Sequence, residues 1–207
     1  MRVIDHLRLS KTYEIYEGDN HVYCVCKYYN GRDLLSYLIE EGLPSEKVTI
    51  NITKQILQAL SYLSTLKIMH RDVKPENILF VDEQENQIVI VDYGFATYEK
   101  DYKKLFSRCG TPGFVAPEVL NDEEYDCSID VYSCGIILYL MLSGDIPFNG
   151  ESQSEIVEQN IKGDVDFEIL SQLKVSDWLI ELLKKMLRKN KQKRISANEA
   201  LAEILSQ

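Results

Sequence analysis

The stretch His70-Arg71-Asp72-Val73-Lys74-Pro75-Glu76-Asn77 decides how this chain is read. Within six positions it sets a carboxylate (Asp72), a cation (Lys74) and an amide oxygen (Asn77) in one short segment. Two β-rich runs follow, at 78–81 and 87–91, with an acidic turn between them. A second carboxylate, Asp92, closes the second run in Asp92-Tyr93-Gly94. From there to residue 118 no periodicity is visible, and segments of that length are usually functional or disordered. This one ends in Gly110-Thr111-Pro112-Gly113-Phe114-Val115-Ala116-Pro117-Glu118.

Toward the N-terminus, residues 32–40 read as a helix stopped by Gly42-Leu43-Pro44. Ser45 is placed to cap the next helix, whose apolar stripe runs through Val48, Ile52, Ile56, Leu60 and Leu63. Earlier still, residues 10–17 and 21–27 alternate as strands do, and Gly18-Asp19-Asn20 between them is a turn, which gives a hairpin. Toward the C-terminus the pattern is helical. The longest apolar run, 135–142, is too short to span a bilayer and reads as a helix buried on most sides. Ser152…Glu155 and Ser196…Glu199 have the capping-box form and mark two helix starts. A hairpin followed by helices with a small β element among them is an α+β arrangement with a helical main body.

The chain has 207 residues, 45% hydrophobic and 27% charged, enough for one domain or for one large lobe plus a fragment of another. A net charge of −10 argues against nucleic acid or an anionic membrane as partner. It suits basic peptides, and equally a solvated acidic surface. The five cysteines form no CxxC pair and have no matching histidine spacing, which argues against a zinc module. Residues 1–9 hold no apolar stretch of signal-peptide type, so the thiols are expected to be reduced and the protein intracellular, cytoplasmic or nuclear.

Moving a phosphoryl group from ATP to an alcohol asks little covalent chemistry of a protein. It asks for a carboxylate to orient the hydroxyl and take its proton, oxygen ligands for Mg²⁺, and a cation near the moving phosphoryl group. Asp72, Asn77 with Asp92, and Lys74 are of those types. In their order and spacing, the three segments resemble the protein kinases, and the resemblance runs from about His6 to the C-terminus.

The resemblance implies ATP and Mg²⁺ as cofactors and protein serine or threonine as acceptor. By it, Asp72 is the catalytic base and Lys74, two positions on as in serine/threonine kinases, steadies the γ-phosphate. Asn77 and Asp92 are the Mg²⁺ ligands, and Thr111 contacts Asp72 and helps select the hydroxyl. Cys26, Lys27, Tyr29 and Leu79 fall at the adenine-binding gatekeeper, hinge and floor. Arg71 matches the arginine that binds a phosphorylated activation loop, and Ser107 the position an upstream kinase would modify. Glu118 and Arg194 match a buried ion pair, and Asp130 the aspartate that holds the catalytic loop's backbone. Residues 130–139, Gly144-Asp145-Ile146-Pro147-Phe148 and residues 194–201 are similar to the calcium/calmodulin-dependent kinase group. Glu76 and Asp33 match acidic positions that favour arginine upstream of the target hydroxyl.

The resemblance also begins late. Residues 1–29 correspond to two strands and the hinge of an N-lobe, and residues 30–207 to a kinase C-lobe. No Gly-rich loop, nucleotide-anchoring lysine or helix C glutamate precedes them, so an N-terminally truncated catalytic domain is expected. Thr12 stands where the family has leucine, and Tyr93 where it has the phenylalanine of Asp-Phe-Gly. Two readings stay open: a protein kinase, or an inactive kinase-like docking or decoy module. A small-molecule kinase of related fold is disfavoured by Thr111 and Ala116-Pro117-Glu118, which shape a peptide-binding surface.

Overall fold

A computed structural model describes residues 3–101 and 109–207. The body is helical. Helix α1 spans Leu34–Glu41 and α2 Glu46–Thr65. Ser45 caps α2 by accepting from the Val48 amide, as its position before the apolar stripe predicts. Ile52, Ile56, Leu60 and Leu63 are buried, but Val48 is 38% exposed. In the first turn the buried face runs through Thr49 instead. Helix α3 is the single turn Pro117–Leu120, and α4 covers Ser128–Ser143. Nearly every side chain of α4 is buried, as its uniformly apolar sequence requires, and Gly144 ends it in the left-handed conformation at φ 87°.

Helices α5 (Gln153–Lys162), α6 (Glu168–Gln172), α7 (Asp177–Met186) and α8 (Ala197–Leu205) complete the body. α2 packs against both α4 and α8, and α7 against α4. The capping box at α8 is complete. At α5 only half of one forms: Ser152 accepts from the Glu155 amide, while the Glu155 carboxylate turns to the Glu151 amide. No described helix is long and apolar enough to cross a membrane.

Among the described residues three two-stranded antiparallel sheets complete the fold. β3 (Ile68–Met69) pairs with β6 (Thr97–Tyr98), and β4 (Ile78–Phe80) with β5 (Ile88–Ile90). These small sheets matter because they bracket the chemistry: residues 70–77 link β3 to β4, and Asp92 follows β5. The third is the hairpin of β1 (Thr12–Glu17) and β2 (Val22–Cys26), both strands shorter by a residue or two than their alternation suggests.

The hairpin stands off the body. Tyr13 is 50%, Tyr23 59% and Val25 45% exposed. Two strands alone are marginal in water, so this element depends on its attachment. The attachment lies just before it. Ile4, Leu9 and Ser10 are buried, Ser10 donates its amide to Ile90, and the Ile90 amide donates to Arg8. Residues 4–10 are thereby joined to β5, and Ile4 and Leu9 to the core.

Gly31, beyond the second strand, lies against Phe80. A Cβ there would come within 2.7 Å of the Phe80 carbonyl carbon and 2.9 Å of its Cβ. The Phe80 amide is held by Arg32, so that backbone has little room to yield. Gly31→Ala is expected to lower stability by about 1–3 kcal/mol in urea unfolding, the usual cost of overpacking.

Candidate active site

The loop at 70–77 is shaped from below by Asp130. Its buried carboxylate accepts from the amides of His70 (2.7 Å) and Arg71 (2.9 Å), supplying partners for two donors in irregular backbone. Burial pushes the Asp130 carboxyl up, against the pull of His70 and the two amides. Arg71 adopts φ 68°, a left-handed conformation that a non-glycine residue keeps only where its surroundings fix it. His70 is fully buried and bridges to the second carboxylate segment: its Nε2 lies 3.0 Å from the Val91 carbonyl. A carbonyl only accepts, so Nε2 carries the proton, which leaves Nδ1 facing the Asp72 amide at 3.4 Å.

Three side chains converge on the Asp72 carboxylate. The Thr111 hydroxyl donates to its Oδ1 (2.9 Å), and Lys74 Nζ donates to that hydroxyl (2.9 Å) while lying 3.2 Å from Oδ2. Asn77 Nδ2 donates to the Asp72 carbonyl (2.8 Å) and to Oδ2 (3.0 Å). Both amide hydrogens of Asn77 are thus spent on Asp72, and its Oδ1 is the atom left to act as a ligand. Residues 39 positions apart meet here because the 110–118 segment folds back over the loop.

Asp92 is tied to Asn77 through the backbone, the Val91 amide donating to the Asn77 carbonyl at 2.9 Å. It too has positive φ, 63°, and its Oδ1 accepts from the Gly94 amide at 3.0 Å. Among the described residues no hydrogen bond ties the other oxygen. Asp92 and Asn77 suit Mg²⁺, which takes one or two protein oxygens and completes its shell with water and phosphate. Among the described residues no group of three or more His, Cys, Asp and Glu could hold a metal, so any metal here would be shared with a ligand's oxygens.

Tyr93 is buried, its ring tilted against His70 with centroids 5.7 Å apart. Its hydroxyl donates to the Ser10 carbonyl at 3.0 Å, which meets the need of a buried phenol for a partner. Burial keeps that phenol protonated, pushing its pKa well up. Thr12 is half-buried and lies 3.7 Å from the Cys26 thiol.

The expected nucleotide positions form an open face. Cys26 and Lys27 are exposed and Tyr29 half-buried, with the Lys27 ammonium 5.3 Å from the Tyr29 ring. Leu79 is half-buried in β4 and bridges to Asp33. Two clefts of about 490 and 630 Å³ are lined by other residues, around Pro117 and Lys191 and around Leu66 and Tyr98.

Asp33 is the N-cap of α1, accepting from the Ser36 amide (2.9 Å) and hydroxyl (2.7 Å). Partial burial pushes its carboxyl up, but these bonds outweigh it and hold the pKa below the usual range. Glu76 is exposed beside the loop. Arg71 donates to the Phe95 carbonyl (2.6 Å) and to the Tyr125 hydroxyl (3.1 Å). Ser107 lies outside the described residues.

Glu118 and Arg194 meet in a bidentate pair at 2.6 and 3.0 Å, with side chains 3% and 0% exposed. Arg194 also donates to the carbonyls of Ser128 and Arg188 and lies 4.9 Å from the Tyr132 ring. The pair fastens α3, at the end of the 110–118 segment, to the turn that precedes α8.

This arrangement agrees with what the chain matches. The family described as protein kinase domain covers residues 1–205. The chain belongs to the protein kinase family. Its relatives include calcium-dependent protein kinase 4 of Plasmodium berghei (strain Anka), 36% identical over 97% of this chain, and calcium-dependent protein kinase 5 of Plasmodium falciparum (isolate 3D7), 39% identical over 97%. The kinase chain spans 38% and 35% of the length of those two relatives. The kinase domain implies ATP, a divalent metal and protein substrates. Sequence reasoning gave no role to His70, Tyr125 or Ser10. His70 stood in the quoted loop, but Ser10 acts through its backbone and leaves no trace in side-chain pattern.

Proposed function

We propose that this chain carries the catalytic centre of a serine/threonine protein kinase that transfers the γ-phosphate of Mg·ATP to basic protein substrates. The observation that carries the reading is the meeting of Thr111, Lys74 and Asn77 on the Asp72 carboxylate. Asp72 is buried among one cation, Lys74, and the donors of Thr111 and Asn77, so it is held in one orientation to take a proton from an acceptor hydroxyl. Lys74 bridges Asp72 and Thr111 and sets a positive charge where negative charge builds on the transferring group. Asn77 Oδ1 and Asp92 would hold Mg²⁺, whose contribution is to neutralise and orient the phosphate oxygens. Exposed Glu76 and the net charge of −10 favour arginine or lysine near the target residue. Asp33 contributes only what its capping role leaves free.

Phosphate on Ser107 would be read by Arg71 through a charge-assisted hydrogen bond, from a guanidinium that also reaches Phe95 and Tyr125. The thiols of Cys24, Cys26, Cys127 and Cys134 suit a reducing, intracellular setting. The open face at Cys26, Lys27 and Leu79 favours a second reading, a docking module that holds no nucleotide. The test is ³²P transfer from Mg·ATP to a serine peptide with upstream arginines. The kinase reading expects incorporation that rises with metal and falls when glutamate replaces the arginines. Incorporation equal to a no-enzyme control, with no Mg·ATP binding by calorimetry, would favour the docking module.

A further inference from the structure

Ser10 grips the metal-ligand segment on both sides of Asp92. Its amide donates to the Ile90 carbonyl at 2.9 Å, two residues before Asp92. Its carbonyl accepts from the Tyr93 hydroxyl at 3.0 Å, one residue after it. Between these two points Asp92 sits at φ 63°, a conformation an aspartate adopts only at some cost. The segment therefore needs restraint on each side to stay so. On the near side the restraint is redundant: Val91 donates to Asn77 and accepts from His70, and Ile90 is paired in β5 and to Arg8. On the far side the Asp92 carboxylate's own bond to Gly94 and the Ala96 amide's bond to Tyr93 are internal to the turn. Two side-chain hydrogen bonds join the turn to other parts of the chain: Arg71 to the Phe95 carbonyl, three residues past Asp92, and the Tyr93 hydroxyl, on the residue next to Asp92, to buried Ser10.

We propose that Tyr93 is a positioning residue: its hydroxyl, through the Ser10 carbonyl, holds Asp92 in the orientation in which it accepts the metal. This rests on the reading of Asp92 as a metal ligand. The tether also couples that orientation to the placement of the hairpin, because β1 begins two residues after Ser10. A phenylalanine at 93 would keep the ring against His70 and lose only the tie.

The experiment compares the parent protein with Tyr93→Phe and Asp92→Asn in two measurements. The first is amide hydrogen exchange without metal. The tether predicts that Tyr93→Phe speeds exchange at Gly94 and Ala96 by about three- to tenfold, the range one net hydrogen bond supports, with α4 amides unchanged. The second is Mn²⁺ titration in the presence of a non-hydrolysable ATP analogue, where Tyr93→Phe is expected to weaken binding by a similar factor. Unchanged exchange at Gly94 and Ala96, equal acceleration throughout the body, or unchanged or tighter Mn²⁺ binding with Asp92→Asn abolishing it would each overturn the tether. Mn²⁺ binding that survives Asp92→Asn would instead overturn the metal-site reading, while the exchange arm still decides whether the hydroxyl restrains the turn.

Discussion

Asp72→Asn is expected to slow phosphoryl transfer by about two to four orders of magnitude, the range that a positioned general base contributes. Asparagine keeps one acceptor oxygen for the Thr111 hydroxyl, and Asn77 keeps its bond to the carbonyl of residue 72, so the fold of the loop should persist. What disappears is the capacity to take a proton and the counter-charge for Lys74, 3.2 Å away. The loss should fall on kcat, with the KM for Mg·ATP within a few-fold of the parent, because Asp72 is not among the atoms proposed to hold metal or nucleotide. Single-turnover measurement with a serine peptide separates the two. A rate within about threefold of the parent would remove Asp72 from the proton-accepting role.

Arg194→Met is expected to destabilise the protein by about 3–5 kcal/mol, since it strands a buried Glu118 carboxylate. The cost is raised by the carbonyls of Ser128 and Arg188, which lose their donor. Replacing both partners, Glu118→Leu with Arg194→Met, should recover much of that loss because no unpaired charge remains. Urea unfolding of the two singles and the double gives the coupling directly. If the double falls by the sum of the singles, the pair is not acting as a unit. Because α3 ends the segment that carries Thr111, the double is expected to lose activity even where it regains stability.

Much of this was legible in the sequence because the relevant signals are local. Ser45, Ser152 and Ser196 announce helix starts by side chains that accept from the backbone amide three residues on. The uniform apolarity of 135–142 admits only a buried helix, and α4 is one. The catalytic loop was legible for another reason: its residue types at that spacing have few other uses. What was hidden is carried by backbone or by long-range contact. The grip of Ser10 on Ile90 and Tyr93 spans some 80 positions and uses only the Ser10 amide and carbonyl. That Val48 faces solvent while Thr49 is buried depends on the angle at which α2 meets its neighbours, which a periodicity does not fix.

The central claim is that Asp72, Asn77 and Asp92 share one metal–phosphate centre, and a crystal structure with Mg²⁺ and a non-hydrolysable ATP analogue tests it most directly. The account predicts one Mg²⁺ ligated by Asn77 Oδ1 and an Asp92 carboxylate oxygen at about 2.1 Å, with the terminal phosphate between that ion and Asp72. Nucleotide and metal bound without contact to both Asn77 and Asp92 would contradict it.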